Sequence, residues 1–132
     1  VKEKTVPYNE SLTSSETVYR LFGHISSEPR EIIIALYLDS RKRIIGYDNV
    51  TQGTVSEAFV YPLEILKTAL VTNATSLVLV HNHPSGDVNP SIQDIQLTAD
   101  VISACKNYDI DLVDHIIIGN DGYYSFKGNG LL

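Results

Sequence analysis

The stretch that most constrains the fold is Ser76-Leu-Val-Leu-Val-His81, a short, nearly continuous apolar run that passes directly into His81-Asn82-His83-Pro84-Ser85-Gly86-Asp87. An apolar run of this length reads as a β-strand buried on both faces, and such a strand needs cover on each side of its sheet. It ends on His81. Side chains two apart on a strand share a face, so His81 and His83 present their imidazoles together while Asn82 faces away. Pro84, Gly86 and Pro90 then enforce a loop. From Ser91 to about Lys106, the spacing of Ile95, Thr98, Ala99, Ile102 and Cys105 predicts a helix.

The remaining chain supplies the covering layers. Residues 1–10 have no clear period and read as an arm or edge strand. Ser14 or Ser15 caps a short amphipathic helix running to Phe22, with Val18, Leu21 and Phe22 on one side, and His24 reads as a polar residue at the helix end. Glu31 to Asp39 is rich in β-branched and aromatic residues and apolar on both faces, which predicts a central strand. Ser40 to Arg43 turns it into a hairpin with Ile44 to Tyr47. Thr51 to Thr54 reads as a second turn, and Val55 to Val60 as a third strand or an extended connection. Pro62 starts a helix to about Asn73, with Leu63, Ile65, Leu66, Ala69 and Leu70 as its apolar stripe. Asp111 to Ile118 is a strand, Gly119 to Gly122 a turn, and Tyr123 to Phe126 a last strand. The order implies an α/β fold around one mixed sheet flanked by helices.

Residues 81–94 concentrate donors for a metal. His81, His83 and Asp94 are the nitrogen and oxygen ligands that zinc accepts, and two histidines with one carboxylate leave the fourth position of a catalytic zinc to water. Ser91 and Asp94 are also spaced as a capping box at a helix start, where Asp94 sits near the positive end of the dipole. Asp87 is a rival carboxylate, carried on the loop without a helix to aim it. Hydrolysis of an amide needs a base in addition. Glu31, at the mouth of a central strand, is a candidate, although spacing does not choose it over other acids. Ser91 is available as the cap or as a donor to a developing oxyanion. Asp114 and His115, an acid and an imidazole on a strand, could support the ligands from behind, but they read first as structural residues and stay outside the site proper.

Composition narrows the function classes. The 132 residues fit one domain that holds its core without a structural metal, so a metal here is expected to be functional. A formal net charge of −6 argues against direct nucleic-acid binding by this chain, and Arg41-Lys42-Arg43 reads as a solvated hairpin turn. The single cysteine, Cys105, excludes an internal disulfide and fits a reducing, cytoplasmic setting. No apolar run approaches the roughly 18–20 residues of a membrane span, and no signal-peptide pattern opens the chain. With Val1 first and no methionine, residues 1–132 are expected to be a single domain from a longer protein.

Glu31, His81-Asn82-His83-Pro84, Ser91 and Asp94 resemble the JAMM (MPN+) pattern of Glu, His-x-His-Pro and Ser-x-x-Asp. The fuller string His-Asn-His-Pro-Ser-Gly-Asp, with Gly53-Thr54-Val55, Asp114-His115-Ile116-Ile117 and Ser125-Phe126, is similar to the bacterial RadC branch. The likeness runs from about Glu31 to Phe126 and departs at Leu63, where that branch usually has Arg. It implies an MPN/JAB (cytidine-deaminase-like) fold and a zinc held by His81, His83, Asp94 and a water. It also implies Glu31 as general acid/base and Ser91 as oxyanion stabiliser. JAMM relatives cleave peptide or isopeptide bonds, commonly those of ubiquitin-like modifiers, so the implied partner is a peptide or protein substrate such as a modifier conjugate. The RadC branch carries a DNA-repair name, and its full-length members resemble fusions with an upstream helix-hairpin-helix domain. The alternative is therefore a non-catalytic protein- or DNA-interaction module. A zinc nucleobase deaminase needs His-x-Glu and Pro-Cys-x-x-Cys, which one cysteine rules out.

Overall fold

The computed structural model describes residues 11–12, 14–53 and 58–132. The expected N-terminal arm, residues 1–10, lies outside them. Ser14 caps helix α1 (Ser15–Phe22), its hydroxyl accepting from the Thr17 amide, and a 3-10 turn follows over Gly23–Ser27. Strands β1 (Ile33–Leu38) and β2 (Ile44–Asn49) form the expected hairpin. Its turn is fixed by Asp39, whose carboxylate accepts from the Arg41 and Arg43 amides and pairs with the Arg43 guanidinium at 2.9 Å. Lys42 takes a left-handed φ of 62° there, so the basic triplet belongs to the turn.

Gln52–Gly53 (β3) and Ala58–Phe59 (β4) pair antiparallel as a separate two-stranded ribbon. Gln52 and Gly53 are thus strand rather than turn, and the intervening residues 54–57 lie outside the described set. Helix α2 spans Pro62–Val71. Its buried side is Ile65, Leu66 and Ala69, while Leu63 and Leu70 are exposed. Strand β5 (Ser76–Asn82), helix α3 (Ile92–Cys105), strand β6 (Asp111–Ile118) and strand β7 (Tyr123–Ser125) complete the chain.

The main sheet has the order β2-β1-β5-β6-β7, and only β5 and β6 are parallel. β5 is central and all seven of its residues are buried, as a continuous apolar run requires. Alternation along β5 divides the core. Leu77 and Leu79 join Ile65, Ala69, Val101 and Cys105 under α2 and α3, whereas Val78 and Val80 join Val18, Phe22 and Ile25 under α1 and the 3-10 turn. His81 therefore belongs to the α3 side and Asn82 to the other.

Two expectations change. β1 begins at Ile33, so Glu31 precedes the strand rather than lying in it. Just before the strand, the Ile32 amide donates to the Asn82 side chain at 2.7 Å rather than to a main-chain carbonyl. Helix α3 is also rotated from the expected stripe: Thr98 and Cys105 are buried as expected, together with Asp94 and Val101, while Ile95, Ala99 and Ile102 are exposed. Among the described residues no helix is long and apolar enough to cross a membrane.

Candidate metal centre

Four side chains converge at the C-terminal end of β5. His81 is the penultimate residue of that strand, and His83 stands one residue beyond it, its amide donating to the Ile118 carbonyl at 3.2 Å. Asp94 enters from the first turn of α3. There the Ser91 hydroxyl accepts from the Asp94 amide at 3.0 Å and the Asp94 carboxylate accepts from the Ser91 amide at 2.8 Å. This reciprocal capping box holds the carboxylate in place and gives α3 the rotation described above. Glu31 arrives from the segment before β1. One donor atom from each of Glu31, His81, His83 and Asp94 lies within 4.8 Å of the others, a group that could hold a metal ion.

The hydrogen bonds behind the imidazoles decide which nitrogens face inward. His83 Nδ1 lies 2.7 Å from the main-chain oxygen of Asp87, which can only accept, so Nδ1 carries the proton and Nε2 is the inward lone pair. His81 Nδ1 lies 2.7 Å from Nε2 of the fully buried His115, whose Nδ1 lies 2.7 Å from the Thr98 hydroxyl. Thr98 Oγ1 in turn donates to the main-chain oxygen of Asp94 at 3.1 Å. With that direction all three contacts are hydrogen bonds: His115 Nδ1 donates to Thr98, and His81 Nδ1 donates to His115. The reverse direction would leave the Thr98 oxygen unbonded to that carbonyl and would set a His81 Nε2 proton toward Asp94 Oδ1, 3.2 Å away. In the first direction His81 turns a free Nε2 inward, the arrangement that a metal there requires.

The three groups lie close together. His81 Nε2 and His83 Nε2 are 3.0 Å apart, His83 Nε2 is 3.0 Å from Asp94 Oδ2, and His81 Nε2 is 3.2 Å from Asp94 Oδ1. Without a cation the cluster holds a proton: the hydrogen bond to Asp94 pushes His83 above its ordinary value despite opposing burial. Burial pushes the Asp94 carboxyl up, but its contacts with His81 and His83 outweigh this and hold it well below the usual carboxylate range. Burial drives His115 well below the ordinary imidazole value, so it stays neutral. A tetrahedral ion with nitrogen bonds of about 2.0–2.1 Å spaces its donors roughly 3.3 Å apart. The donor set and its spacing fit such an ion.

Glu31 sits apart from this trio. Its carboxylate is 3.5 Å from His81 Nε2 and its side chain is 37% exposed, against 7% for Asp94. It faces a cleft of about 820 Å³ lined also by Phe59, Ser91, Gln96 and Leu97. The Ser91 hydroxyl accepts as the cap, which leaves its own hydrogen to donate. The Asp87 carboxylate instead accepts from the Asn89 amide and side chain, and only its main-chain oxygen serves the site.

Asn82 matters more to this arrangement than its position facing away suggests, and His115 takes the less favoured of its two readings, standing behind His81. Asn82 is fully buried, and its side chain accepts from the Ile32 amide while donating to the Arg30 and Glu28 carbonyls at 2.9 and 3.3 Å. It pins the segment that carries Glu31. His115 owes its direction to an irregularity: Leu77 pairs with Leu112 but Val78 with Asp114, so Val113 is an extra residue in β6. That shift turns both Leu112 and His115 toward the helices, where strict alternation would have placed His115 on the opposite face. Phe126 stacks on His115 with ring centroids 4.5 Å apart. Buried Asp114 holds the strand end beyond it, accepting from Ser125 Oγ at 2.6 Å and from the Lys127 amide.

A mixed sheet with helices on both faces, and a Glu, His, His and Asp cluster where its central strand ends, is the architecture of a JAB/MPN domain. The sequence profile of the RadC-like JAB domain matches residues 12–131, and the chain belongs to that family. It is 38% identical over 125 residues to a UPF0758 protein of Chlorobaculum parvum, covering 94% of this chain and 56% of that protein. It is 46% identical over 106 residues to one of Paraburkholderia xenovorans, covering 80% and 42% respectively. To a UPF0758 protein of Ralstonia nicotianae it is 41% identical over 132 residues, with coverage of 97% and 58%. The chain thus spans about half the length of these relatives.

Proposed function

We propose that the domain is a zinc-dependent metallohydrolase that cleaves a peptide or isopeptide bond, with His81, His83 and Asp94 as metal ligands. The observation that carries this reading is the convergence of two imidazole nitrogens and a carboxylate within 3.2 Å of one another, with a partly exposed Glu31 beside them. Two nitrogens and an oxygen favour zinc over the all-oxygen preference of magnesium or calcium. When bound, such a metal supplies a Lewis acid that polarises a carbonyl and lowers the pKa of water.

The chain's own residues supply the rest. Glu31 opens both to the ligand set and to the cleft, so its carboxylate accepts the proton of the attacking water and returns it to the leaving amine. The Ser91 hydroxyl, fixed by the cap, donates to the oxygen on which charge develops. The cleft between the β3–β4 ribbon and α3 joins apolar Phe59 and Leu97 to polar Gln96, a lining suited to a peptide or protein segment such as a modifier conjugate. The net charge of −6 counts against the alternative of unaided DNA binding.

A panel of peptides and modifier conjugates, incubated with zinc-reconstituted protein, tests this reading against Glu31→Gln. Cleavage by the parent and its loss of at least a hundredfold in the variant, with zinc retained, is the expected result. Equal cleavage by both would remove Glu31 from the chemistry.

A further inference from the structure

Of the three ligands, His81 is the one whose orienting partner is another side chain that can itself exist in two forms. Asp94 is fixed by the helix cap and His83 by a main-chain carbonyl. His115 has two ring nitrogens, and whichever one lacks the proton determines what His81 must do. The choice is set against the pull of the Asp94 carboxylate, 3.2 Å from His81 Nε2, by Thr98 two bonds away. Its hydroxyl is within 3.1 Å of the Asp94 main-chain oxygen, an atom without a proton to give.

We propose that Thr98 and His115 are positioning residues that fix the His81 tautomer: the chain Asp94 carbonyl, Thr98 hydroxyl, His115, His81 runs in one direction and leaves His81 Nε2 unprotonated toward the metal position. The chain begins and ends on ligands. Asp94 gives its carboxylate to the metal position and its carbonyl to the anchor of the His81 hydrogen bonds, so the two ligands are joined through buried groups as well as through the site. Thr98 and His115 are 4% and 0% exposed, so no solvent exchanges with the contacts between them.

The geometry also says what each change does. Removing the Thr98 hydroxyl leaves His115 Nδ1 facing no acceptor, and the proton is then better placed on Nε2, where it meets His81 Nδ1. His81 must respond by carrying its own proton on Nε2, which blocks the metal. Serine keeps the hydroxyl and the direction. Groups that orient a ligating histidine in this way typically contribute 10- to 100-fold to metal affinity.

The consequence for binding rests on the metal reading above, whereas the tautomer does not, and two measurements separate them. Long-range ¹H–¹⁵N spectra of metal-free, ¹⁵N-labelled protein at pH 8 read the tautomer of each of the four histidines. Zinc affinity is then measured by chelator competition for the parent, Thr98→Val and Thr98→Ser. The expected results are His81 protonated on Nδ1 in the parent, a 10- to 100-fold weaker affinity in Thr98→Val, and an affinity within about threefold of the parent in Thr98→Ser. His81 protonated on Nε2 in the parent, or zinc binding in Thr98→Val as tight as in the parent, overturns the proposal. If the parent takes no zinc, the metal reading fails and the tautomer spectrum alone decides this one. If Thr98→Val does not fold, that spectrum and Thr98→Ser still decide it.

Discussion

Replacing Asn82 by alanine should detach Glu31 from the site while leaving the metal ligands assembled. The side chain makes three hydrogen bonds to the segment before β1: one from the Ile32 amide at 2.7 Å and two to the carbonyls of Arg30 and Glu28 at 2.9 and 3.3 Å. Arg30 and Glu28 are exposed, so their carbonyls regain water once the segment lifts. Each lost bond then counts at its net contribution of about 1 kcal/mol rather than at a full desolvation penalty, giving a loss of roughly 3 kcal/mol. For a domain of this length that lowers the thermal midpoint by roughly 10 °C. His81 and Asn82 themselves remain in register through main-chain pairing with Ile33, Ile117 and Ile118. Zinc affinity should therefore stay within about threefold of the parent. Amide exchange followed by NMR checks the local claim: Ile32 should exchange at least tenfold faster in the variant, while amides in the middle of β5 slow or speed only with global stability. A midpoint shift below about 2 °C with unchanged Ile32 exchange would refute the clamp. Loss of zinc as complete as in His81→Ala would show that Asn82 holds the ligands instead.

Gly119→Ala should weaken both fold and site, because the added carbon would lie 2.8 Å from the Gly86 oxygen and from Val88 Cγ1 in the loop that carries His83. A loss of about 1–3 kcal/mol in denaturant unfolding is expected, with Gly122→Ala, which meets nothing within 4 Å, as the neutral control. Zinc affinity should fall as pH drops from 8 to 6, and the sign follows from His83. Its value is raised by Asp94, so the metal-free protein already binds a proton at pH values where an ordinary imidazole does not, and zinc must displace it. One proton displaced corresponds to an affinity loss approaching tenfold per pH unit, and titration calorimetry in buffers of different ionisation enthalpy counts it. An affinity flat across that range would contradict the assignment. Asp94→Ala should abolish tight zinc binding and also destabilise α3 by about 1 kcal/mol, since the carboxylate serves the helix cap as well; unchanged affinity by chelator competition would remove it from the ligand set.

Much of this arrangement was legible in the sequence because it depends on local pattern. The apolar run before His81 announces a central strand, the two-residue spacing of His81 and His83 puts them on one side, and Ser91 with Asp94 marks a helix start. What was not legible depends on pairing between distant segments. Nothing local to Val113 reveals that it is the extra residue opposite Leu77 and Val78, yet it decides that His115 faces the site. Asn82 is legible only as a residue facing away, since its partners at Glu28, Arg30 and Ile32 come from a different part of the chain. The α3 stripe holds at Thr98 and Cys105 but misleads at Ile95, Ala99 and Ile102 for a related reason. On α3 the buried side carries the polar residues Asp94 and Thr98 toward the site at one end and Val101 and Cys105 into the core at the other, which leaves Ile95 and Ile102 outward.

Zinc stoichiometry of the reconstituted protein, measured by elemental analysis after removal of loosely bound metal, tests the central claim most directly. About one zinc per chain should be retained by the parent and by Glu31→Gln, and lost from His81→Ala, His83→Ala and Asp94→Ala. A parent that retains none, or a His81→Ala/His83→Ala double variant that still retains one, would contradict a metal centre built on these residues.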